Sequence, residues 1–323
     1  MSAETATPLV FTKHTKRGDK EYPAPEPLAP LFDTHAHLTC FWTKDPADVL
    51  VRAGRAGVSQ IVVPYDPIAD HMTPAAFRVQ LQAWLAAAEE RVARVDASAQ
   101  FVLPDVRYLV GVHPYGALEY GDEIHAQLIE ALEDPRCLGV GEIGLDYHFD
   151  ADDQIEAAPH DVQIACFERQ LSLAIERKVP VELHIRNDTA DAARTAHEDA
   201  YRILRMLGAP SAGCVLHCFT EDRPTMERFV ELGCYIAFGG AATFKRNEEL
   251  REAFAACSLD RILFETDCPY MAPDPLRGVE CEPAMITFTV DALARDRAER
   301  TGEDPVAVAR AAWENARRLF ARA

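Results

Sequence analysis

The chain has 323 residues, 48% of them apolar and 26% charged, which allows one large core and excludes collagen-like or disordered composition. A formal net charge of −19 excludes a broad basic face for duplex DNA, but not a local cationic or metal-bearing site for a phosphate ester. The longest apolar stretch near the start, Pro8–Phe11, is too short for a secretory core, and no apolar run is long enough to span a membrane. The nine cysteines form no Cys-x-x-Cys pair, so a reduced, cytoplasmic protein is expected rather than a disulfide framework.

Residues 1–30 are read as a Pro-rich N-terminal extension, with Pro8, Pro23, Pro25, Pro27 and Pro30 around a polar, basic stretch from Lys13 to Lys20. Proline resists helix and strand pairing, so an extended arm or loose tail is expected. From Leu31 to the end, short apolar runs alternate with helical patterns. The runs cover 31–37, 59–66, 107–114, 137–146, 179–186, 213–219, 234–240 and 261–267, each β-rich and flanked by breakers. Helical patterns cover 45–56, 73–95, 121–133, 160–178, 189–207, 223–232 and 247–257, then 283–300 and 305–322, the last two opened by proline. Eight strands alternating with helices predict an α/β fold, a (β/α)8 TIM barrel over residues 31–323. An open doubly wound sheet is the rival, but no Gly-x-Gly-x-x-Gly follows the first strand.

Buried parallel strands should be nearly all apolar, yet several of these end in metal-ligand residue types. They are Asp33, His35 and His37 on the first strand, His113 on the third, and Glu142 and Asp146 on the fourth. Glu182, His184 and Arg186 end the fifth, His217 the sixth, and Glu265 and Asp267 the eighth. Barrel active sites form at the C-terminal strand ends, so these side chains should converge. Residues i and i+2 on a strand share a side, so His35 and His37 can bind one cation together. Roughly 0.4 His-x-His pairs are expected by chance in such a chain, so the constellation carries the argument rather than the pair. Asp33 is expected either to bond backbone at the mouth or to support His35, and Glu265 to orient its neighbours. Phe41, Trp42, Tyr115, Tyr147 and Tyr270 are placed to rim a pocket or to pack loops.

The motifs 32–38 (FDTHAHL), 141–147 (GEIGLDY), 184–186 (HIR), 217–219 (HCF) and 265–270 (ETDCPY) together resemble the TatD-type metal-dependent hydrolases, from about Leu31 to Phe320. The resemblance implies two divalent metals: His35, His37 and Asp267 on one, His184 and His217 on the second, and Glu142 bridging. It also implies a DNase-like exonuclease or small phosphodiesterase working through an activated water, with Glu142, Asp267, His113 and Arg186 catalytic. Zn, Mn, Mg and Fe all suit such ligands. The expected substrate is a phosphate ester, single-stranded DNA or an oligonucleotide. The chain departs from the family in having Tyr115 for the second His of His-Pro-His, Thr220-Glu221 for Ser-Gly, and Val279-Glu280-Cys281 where basic residues are common. These changes weigh against polymeric DNA. A lactonase or amidohydrolase, or a non-catalytic metal protein, is the alternative; Glu142 stands where many barrels of the wider group carry a modified lysine.

Overall fold

Eight parallel strands follow one another in chain order around a ring: β3 (Leu31–Asp33), β4 (Val58–Tyr65), β5 (Asp105–Val110), β6 (Cys137–Asp146), β7 (Val181–Arg186), β8 (Cys214–Leu216), β9 (Tyr235–Phe238) and β10 (Ile262–Phe264). The computed structural model describes residues 9–94, 101–148 and 157–321. Each neighbouring pair is parallel, and the seam between β10 and β3 is joined by backbone bonds just past the ladder. The Thr34 amide donates to Phe264 O (3.2 Å), Asp267 to His35 O (2.9 Å) and His37 to Cys268 O (2.9 Å). Asp33 reinforces that seam: its carboxylate accepts the Thr266 amide (2.9 Å) and hydroxyl (2.6 Å). The expected (β/α)8 barrel is therefore the observed one.

Helices α1 (Pro46–Arg55), α2 (Pro74–Arg94), α3 (Asp122–Leu132), α4 (His160–Arg177), α5 (Thr195–Leu207), α6 (Arg223–Glu231), α7 (Glu248–Ala256), α8 (Ile286–Thr301) and α9 (Pro305–Leu319) surround the strands. Asp45, Asp222 and Asp304 cap α1, α6 and α9 through their side chains, each ahead of a proline in the first turn. The barrel interior is filled by Phe32, Val62, Leu109, Val215, Ala237 and Leu263, and Leu319 at the end of α9 and Phe320 just after it pack into the same cluster. Alternate strand residues, such as Ile61 and Val63, join the larger core outside the ring. No helix among the described residues is long and apolar enough to cross a membrane.

Two local expectations are corrected. The pattern from Thr189 does not start a helix; α5 begins at Thr195. Asp188 accepts the Ala190 amide, and Asp191 accepts those of Ala193 and Thr195, so side chains take donors a helix would need. The arm also pairs with itself: β1 (Val10–Thr15) and β2 (Gly18–Pro23) form an antiparallel hairpin. The prolines spare the ladder, with Pro23 at its last rung, and Gly18 takes φ +107° in the turn. Phe11 packs edge-on against Phe288, and the Arg52 guanidinium lies 4.8 Å from the Phe11 ring centre. The predicted ends at Val95 and Arg322 lie outside the described residues.

Candidate metal centre

The apolar fill gives way to polar side chains at the C-terminal end of the ring. Glu142 comes from the middle of β6, where the register against β7 shifts between Val140 and Ile143. Its φ of +55° marks the bulge, a device that re-aims a side chain out of the regular alternation. Gly144 makes the bulge fit: it has φ +147°, and a β-carbon there would stand 2.1 Å from His184 O. Asp267, three residues beyond β10, is also left-handed at φ +54°. Backbone strain of this kind concentrates at functional sites.

Four sets of ligand-type residues among those described bring donor atoms within 4.8 Å of one another: His35, His37 and Glu142; Glu142, His184 and His217; His35, His217 and Asp267; and His113, Asp146 and His184. His35 Nε2 and His37 Nε2 lie 3.1 Å apart, and His184 Nδ1 and His217 Nε2 lie 3.2 Å apart. Glu142 Oε1 is 3.5 Å from His37 Nε2 and 3.8 Å from His35 Nε2, while Asp267 Oδ1 is 3.7 Å from both.

In two of the rings the far nitrogen settles which one is left for a cation. His35 donates Nδ1–H to Glu182 Oε2 (2.8 Å), and His184 donates Nε2–H to Asp146 Oδ2 (3.0 Å). His217 Nδ1 lies 3.6 Å from Glu265 Oε1, which also accepts the Cys218 amide (2.5 Å). In His35 and His184 the opposite ring nitrogen therefore faces the cluster with its lone pair, the arrangement metal-bound imidazoles adopt, and His217 turns Nε2 toward His184. Burial pushes His35 down to about 3 and also holds His113 and His217 well below the usual imidazole range, so these rings stay neutral. Burial pushes Glu142 up to about 8 and Glu182 up to about 7. Burial also opposes ionisation of Asp267, but its bond with His37 and the neighbouring imidazoles hold it well below the carboxylate range. Glu182 Oε1, His217 Nδ1 and Glu265 Oε2 are buried with no hydrogen-bond partner. Against burial, Glu142 and Asp267 hold the His37 imidazole well above its usual range. Rings that burial keeps neutral, crowded carboxylates and orphaned buried polar atoms together suit divalent cations and are costly without them.

Every predicted ligand, His35, His37, Glu142, His184, His217 and Asp267, reaches this cluster. His113 lies beside it, its ring 4.3 Å from that of His184. Its Nδ1 accepts the Tyr115 amide (3.2 Å), which leaves Nε2 as the donor of the neutral ring. Arg186 Nη1 is 3.9 Å from Asp146 Oδ2 at the rim. Glu265 accepts the Cys218 amide at Oε1 beside His217, and Asp33 bonds backbone across the seam, accepting also from the His35 amide at 3.4 Å. The sequence alone does not reveal the roles of Glu182 and Asp146; the signal it carries is a charged residue inside a buried strand. Tyr147 is not a rim residue: it is buried, stacked on His160 with ring centres 3.4 Å apart, and its hydroxyl donates to Asp199 (2.9 Å).

The acidic departures have local partners. Glu221 accepts from Asn187 (3.0 Å) and pairs with Arg194 (2.8 Å). Glu280 accepts the Thr43 amide (3.0 Å), the Trp42 amide and the Thr43 hydroxyl.

The family described as TatD related DNase matches residues 32–321. The chain is 31% identical to the uncharacterized metal-dependent hydrolase YabD of Bacillus subtilis, over 90% of this chain and 98% of that one. It is also 31% identical to the 3'-5' ssDNA/RNA exonuclease TatD of Erwinia tasmaniensis, over 90% and 99% of the two chains. Among solved structures, YJJV, a TatD homolog from Escherichia coli, superimposes with a TM-score of 0.68 at 28% identity, covering 92% of this chain and all of that one. The chain belongs to the TatD-related DNase family of metal-dependent hydrolases.

Proposed function

We propose that this chain is a phosphodiesterase that acts on short single-stranded nucleic acid and uses two divalent cations. The observation that carries the reading is the place of Glu142, which belongs both to the donor set with His35 and His37 and to the set with His184 and His217. In this scheme His35, His37 and Asp267 would hold one cation, His184 and His217 the second, and Glu142 would serve both. Imidazole donors favour Zn, Mn or Fe at the tighter position, and the carboxylates admit Mg as well. When bound, such a pair of cations polarises the phosphoryl oxygens and makes a water acidic enough to attack.

The protein groups supply orientation and proton handling. Asp267 presents Oδ1 to the two imidazoles of the first motif, which leaves Oδ2 to accept the proton of the attacking water. His113, neutral and with Nδ1 committed to the Tyr115 amide, donates Nε2–H to a phosphoryl oxygen. Arg186 places its guanidinium at the rim, where its fork matches a phosphate. Glu182, Asp146 and Glu265 fix the ring orientations on which this geometry depends. The 31% identical Erwinia relative, covered almost from end to end, supports the choice of nucleic acid over a lactone or amide.

Bound metal is measured on protein purified without chelator, alongside turnover of bis(p-nitrophenyl) phosphate and a short single-stranded DNA. About two metal equivalents and metal-dependent hydrolysis that disappears in Glu142→Ala are the expected result. Full metal content with turnover of lactones but of neither phosphodiester would overturn the reading.

A further inference from the structure

A cavity of about 550 Å³ opens beside the cluster, a size that suits a small-molecule ligand. Its wall begins close to two of the ligands, at Thr220 after His217 and at Pro269-Tyr270 after Asp267. The Tyr270 ring lies 6.1 Å from the His37 ring and 6.1 Å from that of Trp42, edge to face in both cases. Trp42 is 62% exposed, so its indole face is open to a ligand at the lip of the cavity.

Arg246 and Arg277 line the same cavity. The Arg277 guanidinium lies 4.5 Å from the Phe244 ring centre, which holds its planar head in place. Neither arginine forms an ion pair among the described residues, although the chain as a whole carries a charge of −19. Flat rings and two cations around one cavity match a base and a phosphate.

Glu280 explains why Trp42 stands where it does. Its carboxylate takes the backbone amides of Trp42 and Thr43 and the Thr43 hydroxyl, so it ties the loop after β3 to the segment that carries Arg277. Lys13 of the hairpin braces that segment through Pro275 O (3.0 Å). The acidic residue at 280 thus organises the pocket.

Resting on the phosphodiesterase reading, we propose that this cavity holds the nucleotide next to the scissile phosphate. The base lies against Trp42, a flanking phosphate meets Arg246 and Arg277, and Glu280 is the positioning residue that sets Trp42.

The metal-loaded enzyme and the variants Trp42→Ala, Glu280→Gln and Arg246→Ala/Arg277→Ala are compared on (dT)6 and on bis(p-nitrophenyl) phosphate. Trp42→Ala should lower the oligonucleotide-to-ester ratio of kcat/KM by about 5- to 150-fold, the span of one stacked base, mainly through KM. The arginine pair should flatten the salt dependence of the oligonucleotide KM, by about 0.7 in the log–log slope for each phosphate no longer neutralised. Glu280→Gln should raise the oligonucleotide KM in the native background and add nothing in Trp42→Ala, which a merely structural role would not produce. Unchanged ratios and an unchanged slope overturn the proposal. Tryptophan fluorescence provides a readout apart from turnover: (dT)6 should quench the native protein and not Trp42→Phe. Quenching without hydrolysis of either ester sinks the phosphodiesterase reading and leaves the pocket standing; equal quenching in both proteins sinks the pocket.

Discussion

His35 and Glu182 meet across the barrel, Nδ1 to Oε2 at 2.8 Å, with both side chains fully buried. The contact joins β7 to the residue two places beyond β3 and turns Nε2 of His35 toward His37. Glu182→Gln keeps the volume and an acceptor but removes the charge that makes the imidazole a stronger donor. Metal affinity should fall about 10- to 100-fold, the cost typical of losing such an outer partner. Isothermal titration of the chelated protein measures this; an unchanged dissociation constant would show that packing alone orients His35.

The bulge in β6 yields a prediction about backbone rather than side chains. Gly144→Ala should destabilise the fold by on the order of 3 kcal/mol, because a β-carbon would meet His184 O at 2.1 Å in a left-handed region. It should also reduce metal content, since the same approach sets Glu142 against His184. Gly302→Ala is the comparison: φ is +80° there, but nothing lies within 4 Å, so only about 1 kcal/mol is expected. Equal melting shifts in the two variants would mean that the close approach matters little.

At the seam of the ring, Asp33 accepts both the amide and the hydroxyl of Thr266 while fully buried. Asp33→Ala leaves buried donors unpaired and should cost about 1–3 kcal/mol or more. Asp33→Asn should cost less, because the Thr266 hydroxyl can turn and accept from the new amide. The seam separates His35 from Asp267, so metal affinity should weaken in the same order as stability. Chemical denaturation with parallel metal titration tests this, and loss of stability with native metal affinity would uncouple seam from site.

These cases show what the sequence exposes and what it hides. His35, His184, His217 and Asp267 stand out because they are polar where a buried parallel strand or its end should be apolar. Asp146 and Glu182 carry the same signal, but their partners are 38 and 147 residues away, so no local spacing reveals what they orient. The hairpin over Val10–Pro23 is obscured because prolines dominate the arm's composition, while only Pro23 enters the ladder, at its last rung, and the others lie outside it. Glu280 reads as a lost positive charge, and only the fold shows its carboxylate spent on the backbone at Trp42 and Thr43.

His197 gives the acid limb of stability. It is buried, its Nδ1 accepts from Asn187 Nδ2 (2.8 Å), and burial pushes its pKa down to about 3. An imidazole in the unfolded chain titrates near 6.5, so below that pH the unfolded state binds a proton the native state refuses. The stability His197 confers is therefore complete above about 6.5 and is lost progressively as pH falls toward 3. Between pH 7.5 and 5.5 the loss amounts to about 1 kcal/mol from this residue alone. His197→Gln removes the titrating group, so its unfolding free energy should decline less over that interval than that of the native chain, by about the same amount, whatever its value at pH 7.5. Urea unfolding of the metal-free protein at the two pH values measures the difference, and parallel declines would mean that His197 is protonated in the folded state or contributes nothing to the pH dependence.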